Sequence, residues 1–512
     1  MNCPAPSSTD PLQWLERVLR IDPERTLLRT PENRRVGYAQ FDRLSSLLAA
    51  SLKQRGVMAG DRIAAQVEKS VEAVALYIAC LRVGAVFVPL NTAYTLAELD
   101  YFLRDCEPRV AVVRPQAPAD VSAIAAKAGV SHVETMDAQG GGSLLSPLTA
   151  GPAEELAPGS ANESMLAALL YTSGTTGRSK GAMLTRGNLA SNAVTLLHAW
   201  QFSEADVLLH ALPIFHVHGL FVAINVALAS GSSMLFLPKF DADEVMRLLP
   251  QATVMMGVPT FYTRLLQHPR LDRESTRNVR LFVSGSAPLL PETHREFQAR
   301  TGHAILERYG MSETLMNTSN PYDGERVPGS VGPPLPGVEV RIVDPESGAP
   351  VASGAIGMIE VRGPNVCSGY WRMPDKTAAE FRDDGFFITG DLGRIDARGY
   401  VHIVGRGKDL IITGGYNVYP IEVESEIDAL PGVVESAVIG VPHPDFGEAV
   451  TAVVVVRPDA QLDESAVRRQ LEQRLANFKL PKRVLFADEL PRNTMGKVQK
   501  SVLRDRYRHL HD

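Results

Sequence analysis

The chain has 512 residues, and this length predicts two or more domains because a single hydrophobic core does not grow so large. Hydrophobic residues make up 45% of the sequence and charged residues 21%, a composition that excludes a disordered or fibrous protein. The net charge of −6 gives no general attraction to nucleic acid or to an anionic membrane. An anionic ligand would therefore be held by local cations.

The N-terminal sequence does not contain the basic segment and following apolar segment of a secretory signal. The longest apolar runs, such as Leu220 to Ala229, are shorter than the ~20 residues that a transmembrane helix needs. The cysteines, which are Cys3, Cys80, Cys106 and Cys367, have the spacing of neither a zinc site nor a disulfide framework. We expect a cytoplasmic protein with no nucleic-acid partner and no membrane partner.

Apolar strands alternate with helices through most of the chain. Residues 61–89 read as strand, helix and strand, and the same rhythm returns at 208–238, 254–267 and 278–310. Continuously apolar strands covered by helices predict layered, mostly parallel sheets in a large α/β domain. The intervening segment 117–164 is richer in Ala, Gly, Pro and Ser, and we expect it to hold loops.

The pattern changes towards the C-terminus. Short alternating runs from Gly329 onward predict a β-rich subdomain. The tail after about Gly405 is long enough to form a small α+β domain of its own. We therefore expect a large N-terminal domain over residues 1–405 and a small, mobile C-terminal domain over 406–512.

The stretch YTSGTTGRSKGAML, residues 171–184, lies between an apolar strand and a helix. Its glycines let backbone N–H groups approach an anion while its hydroxyls donate further hydrogen bonds. The glycine and lysine spacing is not that of a Walker A loop. A flexible linker is the alternative, which the position between a strand and a helix disfavours. The residues predicted to bind phosphate are Thr172, Ser173, Gly174, Thr175, Thr176, Gly177 and Lys180.

Further segments carry groups that suit a nucleotide. Tyr309, Ser312 and Glu313 in YGMSET could stack on a base, bond a phosphate oxygen and hold Mg²⁺, although the segment alone could be a turn. Asp391 in TGD could accept hydrogen bonds from ribose hydroxyls, although a plain Asp turn is the simpler reading in isolation. Lys497 in PRNTMGKVQK would be a solvated charge in most proteins.

Taken in chain order, these motifs resemble those of the acyl-adenylate-forming superfamily, which includes acyl-CoA synthetases, luciferase-like enzymes and nonribosomal adenylation domains. The resemblance runs from about Leu27 to Tyr507 and rests on residues 171–181, 309–314, 389–391, 405–424 and 491–498. It implies that ATP and an acid form an acyl-AMP and pyrophosphate with Mg²⁺, and that the C-terminal domain then rotates. CoA thiolate attacks the adenylate in the second step.

The resemblance also implies a role for each matching residue. Lys497 would stabilise charge at the α-phosphate during adenylation. Ser312 would bond the α-phosphate, Glu313 would hold Mg²⁺, and Asp391 with Arg406 would bind the ribose. The residues implied at the other positions are Gly285, Ser286, Ala287, Pro288 and Tyr309 around the adenine, Lys408 at the hinge, and Gly414, Gly415 and Tyr416 at the CoA entrance. The family more often has Thr where Ser312 stands, which keeps the hydroxyl.

The acid is indicated by Arg308, which occupies a position where the family usually has a small residue beside the acyl pocket. A buried cation is costly unless an anion pairs with it, so we expect a dicarboxylic acid. A structural ion pair is the alternative, although the adjacent Glu307 faces the other way on a regular strand. His216, His218 and Arg264 lie in segments that border the acyl pocket in relatives, but Arg264 could equally be a solvated charge.

These segments are most similar to those of malonyl-CoA synthetases. The expected reaction converts ATP, malonate and CoA to AMP, pyrophosphate and malonyl-CoA. Methylmalonate or another short acid is the alternative substrate, and Met311 would set the tolerance for an added methyl. A non-enzymatic ATP-binding regulator is disfavoured because Lys497 and Asp391 are both present. Acylation of Lys497 would remove its charge and is a candidate means of regulation.

Overall fold

The computed structural model describes residues 10–116, 119–145, 162–172, 179–414, 416–493 and 496–511. Its strands are β1 Thr26–Arg29, β2 Arg35–Gly37, β3 Arg62–Gln66, β4 Val86–Pro89, β5 Val110–Val113, β6 His132–Thr135, β7 Leu166–Thr172, β8 Lys180–Thr185, β9 Val207–His210, β10 Ser233–Phe236, β11 Val254–Gly257, β12 Leu281–Ser284, β13 Leu306–Met311, β14 Leu315–Ser319, β15 Glu339–Val343, β16 Gly357–Arg362, β17 Phe387–Ile395, β18 Val401–Arg406, β19 Ile411–Thr413, β20 Tyr416–Val418, β21 Val433–His443, β22 Gly447–Val456 and β23 Arg483–Phe486.

The helices alternate with these strands. They are α1 Pro11–Ile21, α2 Tyr38–Gln54, α3 Val71–Val83, α4 Leu96–Cys106, α5 Ala119–Lys127, α6 Arg186–Ala199, α7 Asn225–Ser230, α8 Ala242–Leu248, α9 Pro259–Gln267, α10 Pro291–Thr301, α11 Pro374–Glu380, α12 Pro420–Asp428, α13 Glu464–Leu471 and α14 Lys500–Tyr507, with a π-helix at His218–Ile224 and short 3₁₀ turns at Leu249–Gln251, Gly407–Asp409 and Asn477–Lys479. Within the described ranges, no helix is long and apolar enough to cross a bilayer.

Two large sheets form the first part of the chain. One has the order β14-β13-β12-β11-β9-β10-β1-β2 and the other the order β6-β5-β3-β4-β7-β8. Most neighbouring strands run parallel, and the antiparallel pairs, β13–β14, β1–β2 and β7–β8, lie at sheet edges. The residues of β11 and β12 are buried along their whole length, which explains their continuously apolar sequences.

Helix α3 lies in the hydrophobic core that the two large sheets share. The Ser70 side chain caps it by accepting a hydrogen bond from the Ala73 amide, and Gly84 ends it in the left-handed conformation. Almost every residue of the helix is buried. The surrounding core cluster contains Ile63 of one sheet and Leu208 of the other, so the two sheets and their helices form one layered unit.

Two smaller sheets follow. The antiparallel order β15-β16-β17-β18 is the predicted β-rich part. The strands after the 3₁₀ turn at Gly407–Asp409 form a sheet of their own, in the order β20-β19-β22-β21 with β23 beside β22. Helices α12 and α13 share a separate core cluster with this last sheet.

One expectation is corrected. Within the segment predicted to hold loops, the described residues include α5 and β6 as well as turns. Strand β6 pairs in parallel with β5, so this segment extends the sheet at its edge. The small residues in α5 suit a helix as well as a loop, because alanine has the highest helix propensity.

Candidate active site

The candidate site lies at the carboxyl ends of neighbouring parallel strands. Strands β9, β11, β12 and β13 are adjacent in the sheet. The segments that follow them carry the predicted residues His216, His218, Ser286, Ser312 and Glu313. In open parallel sheets, ligands bind at this edge. The Asp391 hairpin and the Lys497 loop approach the same place from later parts of the chain, as the contacts below establish.

Asp391 and Arg406 face each other directly across β17 and β18. Arg406 Nε lies 2.8 Å from Asp391 Oδ1, and the Tyr309 hydroxyl donates a 2.5 Å hydrogen bond to Asp391 Oδ2. The Thr389 hydroxyl accepts a hydrogen bond from the Asp391 amide at 3.0 Å. Both oxygens of the Asp391 carboxylate are therefore held in one orientation. A carboxylate oriented in this way can accept hydrogen bonds from two neighbouring hydroxyls, such as those of a ribose. The Asp391 carboxylate raises the pKa of Arg406, and burial, with Asp391 beside it, raises the pKa of Tyr309.

Glu313 lies in the turn between β13 and β14. Its Oε1 accepts hydrogen bonds from the hydroxyls of Thr172 and Tyr370, at 3.2 and 3.1 Å. Burial raises the pKa of Glu313. A buried carboxylate among hydroxyl oxygens offers the hard donors that Mg²⁺ prefers, and Mg²⁺ commonly binds one or two carboxylates together with substrate phosphates. The residues present therefore fit Mg²⁺. Ser312 and Met311 are half-buried beside Glu313.

The predicted phosphate-binding motif begins at Thr172 and ends with Lys180, and these two residues face each other across the β7–β8 pair. Lys180 is only 6% exposed and its Nζ lies 2.9 Å from Glu380 Oε1. The predicted residues Ser173, Gly174, Thr175, Thr176 and Gly177 lie outside the described residues.

Arg308 on β13 is a buried cation that forms no ion pair with a carboxylate of the described residues. Its side chain is 3% exposed, and its Nε and Nη2 atoms have no hydrogen-bond partner among the described residues. Glu307 faces elsewhere, as the strand geometry predicts, and accepts a hydrogen bond from the Leu289 amide at 3.1 Å. Burial lowers the pKa of Arg308 to about 9, so the guanidinium is still charged at neutral pH.

The guanidinium of Arg308 lies flat against the backbone of Gly285. A β-carbon at position 285 would lie 2.4 Å from Arg308 Cζ, which is closer than any side chain permits. The same segment brings Ser286 to the pocket with a positive φ of 71°. Such strained backbone at a non-glycine residue is commonly found at ligand sites.

Two histidines lie near Arg308. His218 is fully buried, with Nδ1 3.3 Å from the Ser286 hydroxyl and Nε2 without a partner among the described residues. Burial, with Arg308 and Lys497 nearby, lowers the pKa of His216 to about 4, and burial also lowers that of His218. Both rings are therefore neutral at pH 7. The segment that carries these histidines is not an extended strand, because a π-helix begins at His218. π-Helical turns are frequent at functional sites.

Lys497 enters the site from the C-terminal part of the chain. Burial lowers its pKa to about 8, and the neighbouring Arg406 cation contributes to the same shift. Lys497 also contributes to the lowered pKa of His216. The C-terminal lysine is therefore an electrostatic neighbour of both the Asp391 hairpin and His216.

Most of the other predicted residues are exposed, and Lys408 is close enough to Lys497 to lower its pKa. Arg264 is exposed on α9 and makes no hydrogen bond or ion pair with another described residue, and Lys408 is exposed in the 3₁₀ turn after β18. Tyr416 is 58% exposed and stacks on Phe478 at a centroid distance of 4.8 Å. Ala287 is half-buried and Pro288 is exposed. Gly414 has a φ of 57°, and Gly415 lies outside the described residues.

Sequence reasoning missed Tyr370, Glu380 and Thr260. Tyr370 contacts Glu313, Glu380 contacts Lys180, and Thr260 lies against the loop that carries Lys497. Tyr370 and Glu380 lie outside the segments that carry the resemblance. Thr260 lies in the same segment as Arg264, but nothing in the sequence was a reason to select it.

Comparison with known families agrees with this geometry. The sequence model of the AMP-binding enzyme family matches residues 15–371, and that of the AMP-binding enzyme C-terminal domain matches 422–497. The chain belongs to the AMP-binding enzyme family. The predicted superfamily, the α/β fold class and the enzyme class, an AMP-forming acid–thiol ligase, are confirmed.

Individual members of the family are similar over nearly the whole chain. An indoleacetate–CoA ligase of Aromatoleum aromaticum is 37% identical over 96% of this chain and 97% of its own. A mitochondrial malonate–CoA ligase of Mus musculus is 37% identical over 90% and 85%. The crystal structure of ATP-bound MatB from Rhodopseudomonas palustris is 58% identical over 100% of both chains, with a TM-score of 0.95.

Proposed function

We propose that the enzyme is a malonyl-CoA synthetase, which converts malonate, ATP and CoA to malonyl-CoA, AMP and pyrophosphate. The observation that supports this proposal is the buried guanidinium of Arg308, whose Nε and Nη2 atoms have no hydrogen-bond partner among the described residues. Family membership alone leaves the acid open, because relatives of equal identity act on indoleacetate and on malonate. A buried cation without a carboxylate partner favours a substrate that brings one.

Malonate fits because it has two carboxylates separated by one carbon. One carboxylate would pair with Arg308 in a bidentate manner, for which guanidinium geometry is suited. His216 and His218 are neutral, so they would contribute hydrogen bonds rather than charge. The second carboxylate would then be directed at the α-phosphate, near Lys497.

The proposed adenylation step follows from the positions of the remaining groups. Asp391 and Arg406 would hold the ribose, and Lys497 would stabilise charge at the α-phosphate as the carboxylate attacks. Ser312 would bond an α-phosphate oxygen. Mg²⁺ at Glu313 would neutralise phosphate charge when bound. Thr172, Lys180 and the motif between them would receive pyrophosphate. Gly285, Ser286, Ala287, Pro288 and Tyr309 would border the adenine.

The proposed thioester step uses a second arrangement. We propose a boundary between residues 405 and 406, with Lys408 at the hinge of a mobile C-terminal domain. The likeness to ATP-bound MatB supports an adenylating arrangement for the structure described here. The exposure of Tyr416 is consistent with this assignment, because the CoA entrance that it would line with Gly414 and Gly415 forms only after rotation.

The experiment measures AMP formation with malonate, methylmalonate, succinate, acetate and octanoate, in wild type, Arg308→Ala and Arg295→Ala. Arg295 is an exposed arginine on α10 and serves as the matched control. We expect wild type and the control to prefer malonate. In Arg308→Ala the preference should fall by a factor of about 100 or more, which is the usual effect of losing a buried charged pair. Wild-type preference for a monocarboxylate would overturn the proposal.

Methylmalonate is included because a methyl group changes binding by only about 1–3 kcal/mol. Met311 is half-buried beside the pocket, so Met311→Ala is expected to raise the relative rate with methylmalonate.

Acylation of Lys497 is proposed as a means of regulation, since its lowered pKa makes the neutral, nucleophilic amine more abundant. Treatment with an acyl donor, followed by peptide mass spectrometry and AMP assay, tests this. The cytoplasmic location stays a prediction.

A further inference from the structure

Glu380, at the end of α11, forms an ion pair with the lysine of the phosphate-binding motif. Its Oε1 lies 2.9 Å from Lys180 Nζ and 2.6 Å from Lys376 Nζ. The Lys180 side chain is 7% exposed and the Glu380 side chain 18%, so solvent screens this pair less than a surface pair. Glu380 is the carboxylate that the structure places in ion-pair contact with Lys180.

Tyr370 holds the Glu380 carboxylate in this position. The Tyr370 hydroxyl forms a short hydrogen bond with Glu380 Oε2 and a 3.1 Å hydrogen bond with Glu313 Oε1. The ring of Tyr370 lies beneath the Lys180 ammonium, 4.6 Å from ring centre to Nζ. The carboxylate is thus tied on both oxygens and is not free to move away when another anion reaches Lys180.

A fixed carboxylate beside a phosphate-binding lysine has a definite electrostatic effect. It neutralises the ammonium before the nucleotide arrives, which removes the cost of an unpaired buried cation. It also repels the anion that Lys180 receives, because two anions then share one cation. The result is weaker retention of that anion than Lys180 alone would give.

We propose that Glu380 is an internal counter-ion that competes with pyrophosphate for Lys180 and so promotes pyrophosphate release after adenylation. The inference rests on the proposed role of Lys180 in binding pyrophosphate. Early release of pyrophosphate makes adenylation harder to reverse, since the reverse reaction needs pyrophosphate in place. Glu380 would therefore favour the forward direction without contacting the reacting atoms.

The test uses Glu380→Gln, which keeps the shape and hydrogen-bonding groups but removes the charge. We expect roughly tenfold tighter binding of magnesium pyrophosphate in isothermal titration calorimetry, as for one partly screened charge. Stronger inhibition of AMP formation by pyrophosphate should accompany it, and inorganic pyrophosphatase should relieve that inhibition. A variant with a damaged fold would bind pyrophosphate more weakly, which is the opposite of the expected change.

The control is Glu339→Gln, which changes the net charge equally at an exposed residue paired with Arg362. We expect it to bind pyrophosphate as wild type does. Unchanged or weaker binding in Glu380→Gln, or equal tightening in the control, overturns the inference. Lys180→Ala separates the two proposals. If it leaves pyrophosphate binding unchanged, the role of Lys180 fails. If it weakens binding while Glu380→Gln does not tighten it, only the counter-ion role fails.

Discussion

Gly496 lies against Thr260 so closely that a β-carbon at position 496 would come within 2.9 Å of the Thr260 hydroxyl oxygen. Gly496 has a φ of 73° and immediately precedes Lys497. Thr260 lies in the first turn of α9, at the carboxyl end of β11. This close approach places the lysine loop beside α9, so we expect a side chain at position 496 to displace Lys497.

Substituting Gly496 should therefore impair one half-reaction selectively. Gly496→Ala adds a methyl group that must displace Thr260 and imposes a backbone cost of about 1 kcal/mol, so we expect adenylation to slow by roughly tenfold or more. The thioester step from supplied malonyl-AMP should stay near the wild-type rate. Gly399→Ala is the matched control, because Gly399 has a φ of 83° but open space around it. Similar slowing in the control would contradict the docking role.

Removing the lysine itself should have a larger effect of the same kind. Lys497→Ala is expected to lower the adenylation rate by a factor on the order of 10²–10³, the usual effect of losing a preorganised stabilising group. The thioester step from malonyl-AMP and CoA should be spared, because a different face of the C-terminal domain would act there in the proposed second arrangement. Pyrophosphate exchange and thioester formation are measured separately, and equal loss in both would refute the two arrangements.

The pKa of Lys497, lowered to about 8, predicts a pH dependence. The stabilising form is the cation, which predominates below the pKa. We therefore expect kcat/KM for ATP in adenylation to fall as pH rises through about 8. The charges beside Lys497 are Arg406 and Lys408, which lower its pKa, and Asp391 and Asp409, which raise it. Lys497→Arg should be slower but flat in this range, because arginine stays protonated. A flat wild-type profile from pH 7 to 9.5 would count against the assignment.

The short hydrogen bond from Tyr309 to Asp391 should contribute to nucleotide binding. Tyr309→Phe leaves Asp391 Oδ2 without this donor, so the carboxylate is less well oriented towards the ribose. We expect KM for ATP to rise roughly tenfold, as for loss of a hydrogen bond to a charged group, with a smaller change in kcat. Tyr400→Phe is the control, since its hydroxyl bonds the exposed Glu325 carbonyl. An unchanged KM in Tyr309→Phe would contradict this role.

Gly285 should control the selectivity for the acid through Arg308. Gly285→Ala places a methyl group where the guanidinium lies, so the guanidinium must leave its position. We expect the ratio of kcat/KM for malonate to that for acetate to fall by roughly tenfold or more, as for a disturbed charged pair. Using a ratio cancels any effect on adenine binding. A preserved ratio would show that Arg308 selects the acid from another position.

Much of this site follows from local sequence. Asp391 and Arg406 are paired across one hairpin, and Thr172 and Lys180 across another, so their closeness depends on short-range strand pairing. The continuously apolar β11 and β12 predicted the parallel sheet because buried strands need no polar alternation. The orientation of Glu307 away from Arg308 followed from the pleat of a strand.

Other features depend on packing between distant parts of the chain. Lys180 and Glu380 are separated by 200 residues, and no periodicity or motif relates them. Thr260 and Gly496 meet only because the C-terminal part lies against α9. Arg264 occurs in a segment that borders the pocket, but the phase of the helix, which spacing alone did not fix, turns its side chain to solvent.

The charge of Arg308 has a chemical consequence for the acid that it would hold. A carboxylate that is separated by one carbon from an activated carbonyl group can be lost as CO₂. The electrons of the breaking bond then move to the intervening carbon, and desolvation of the carboxylate accelerates the loss. A guanidinium bound to both carboxylate oxygens stabilises the negative charge there and so opposes the cleavage. The same residue that selects a dicarboxylic acid would thus keep its adenylate from decaying to an acetyl group before CoA arrives.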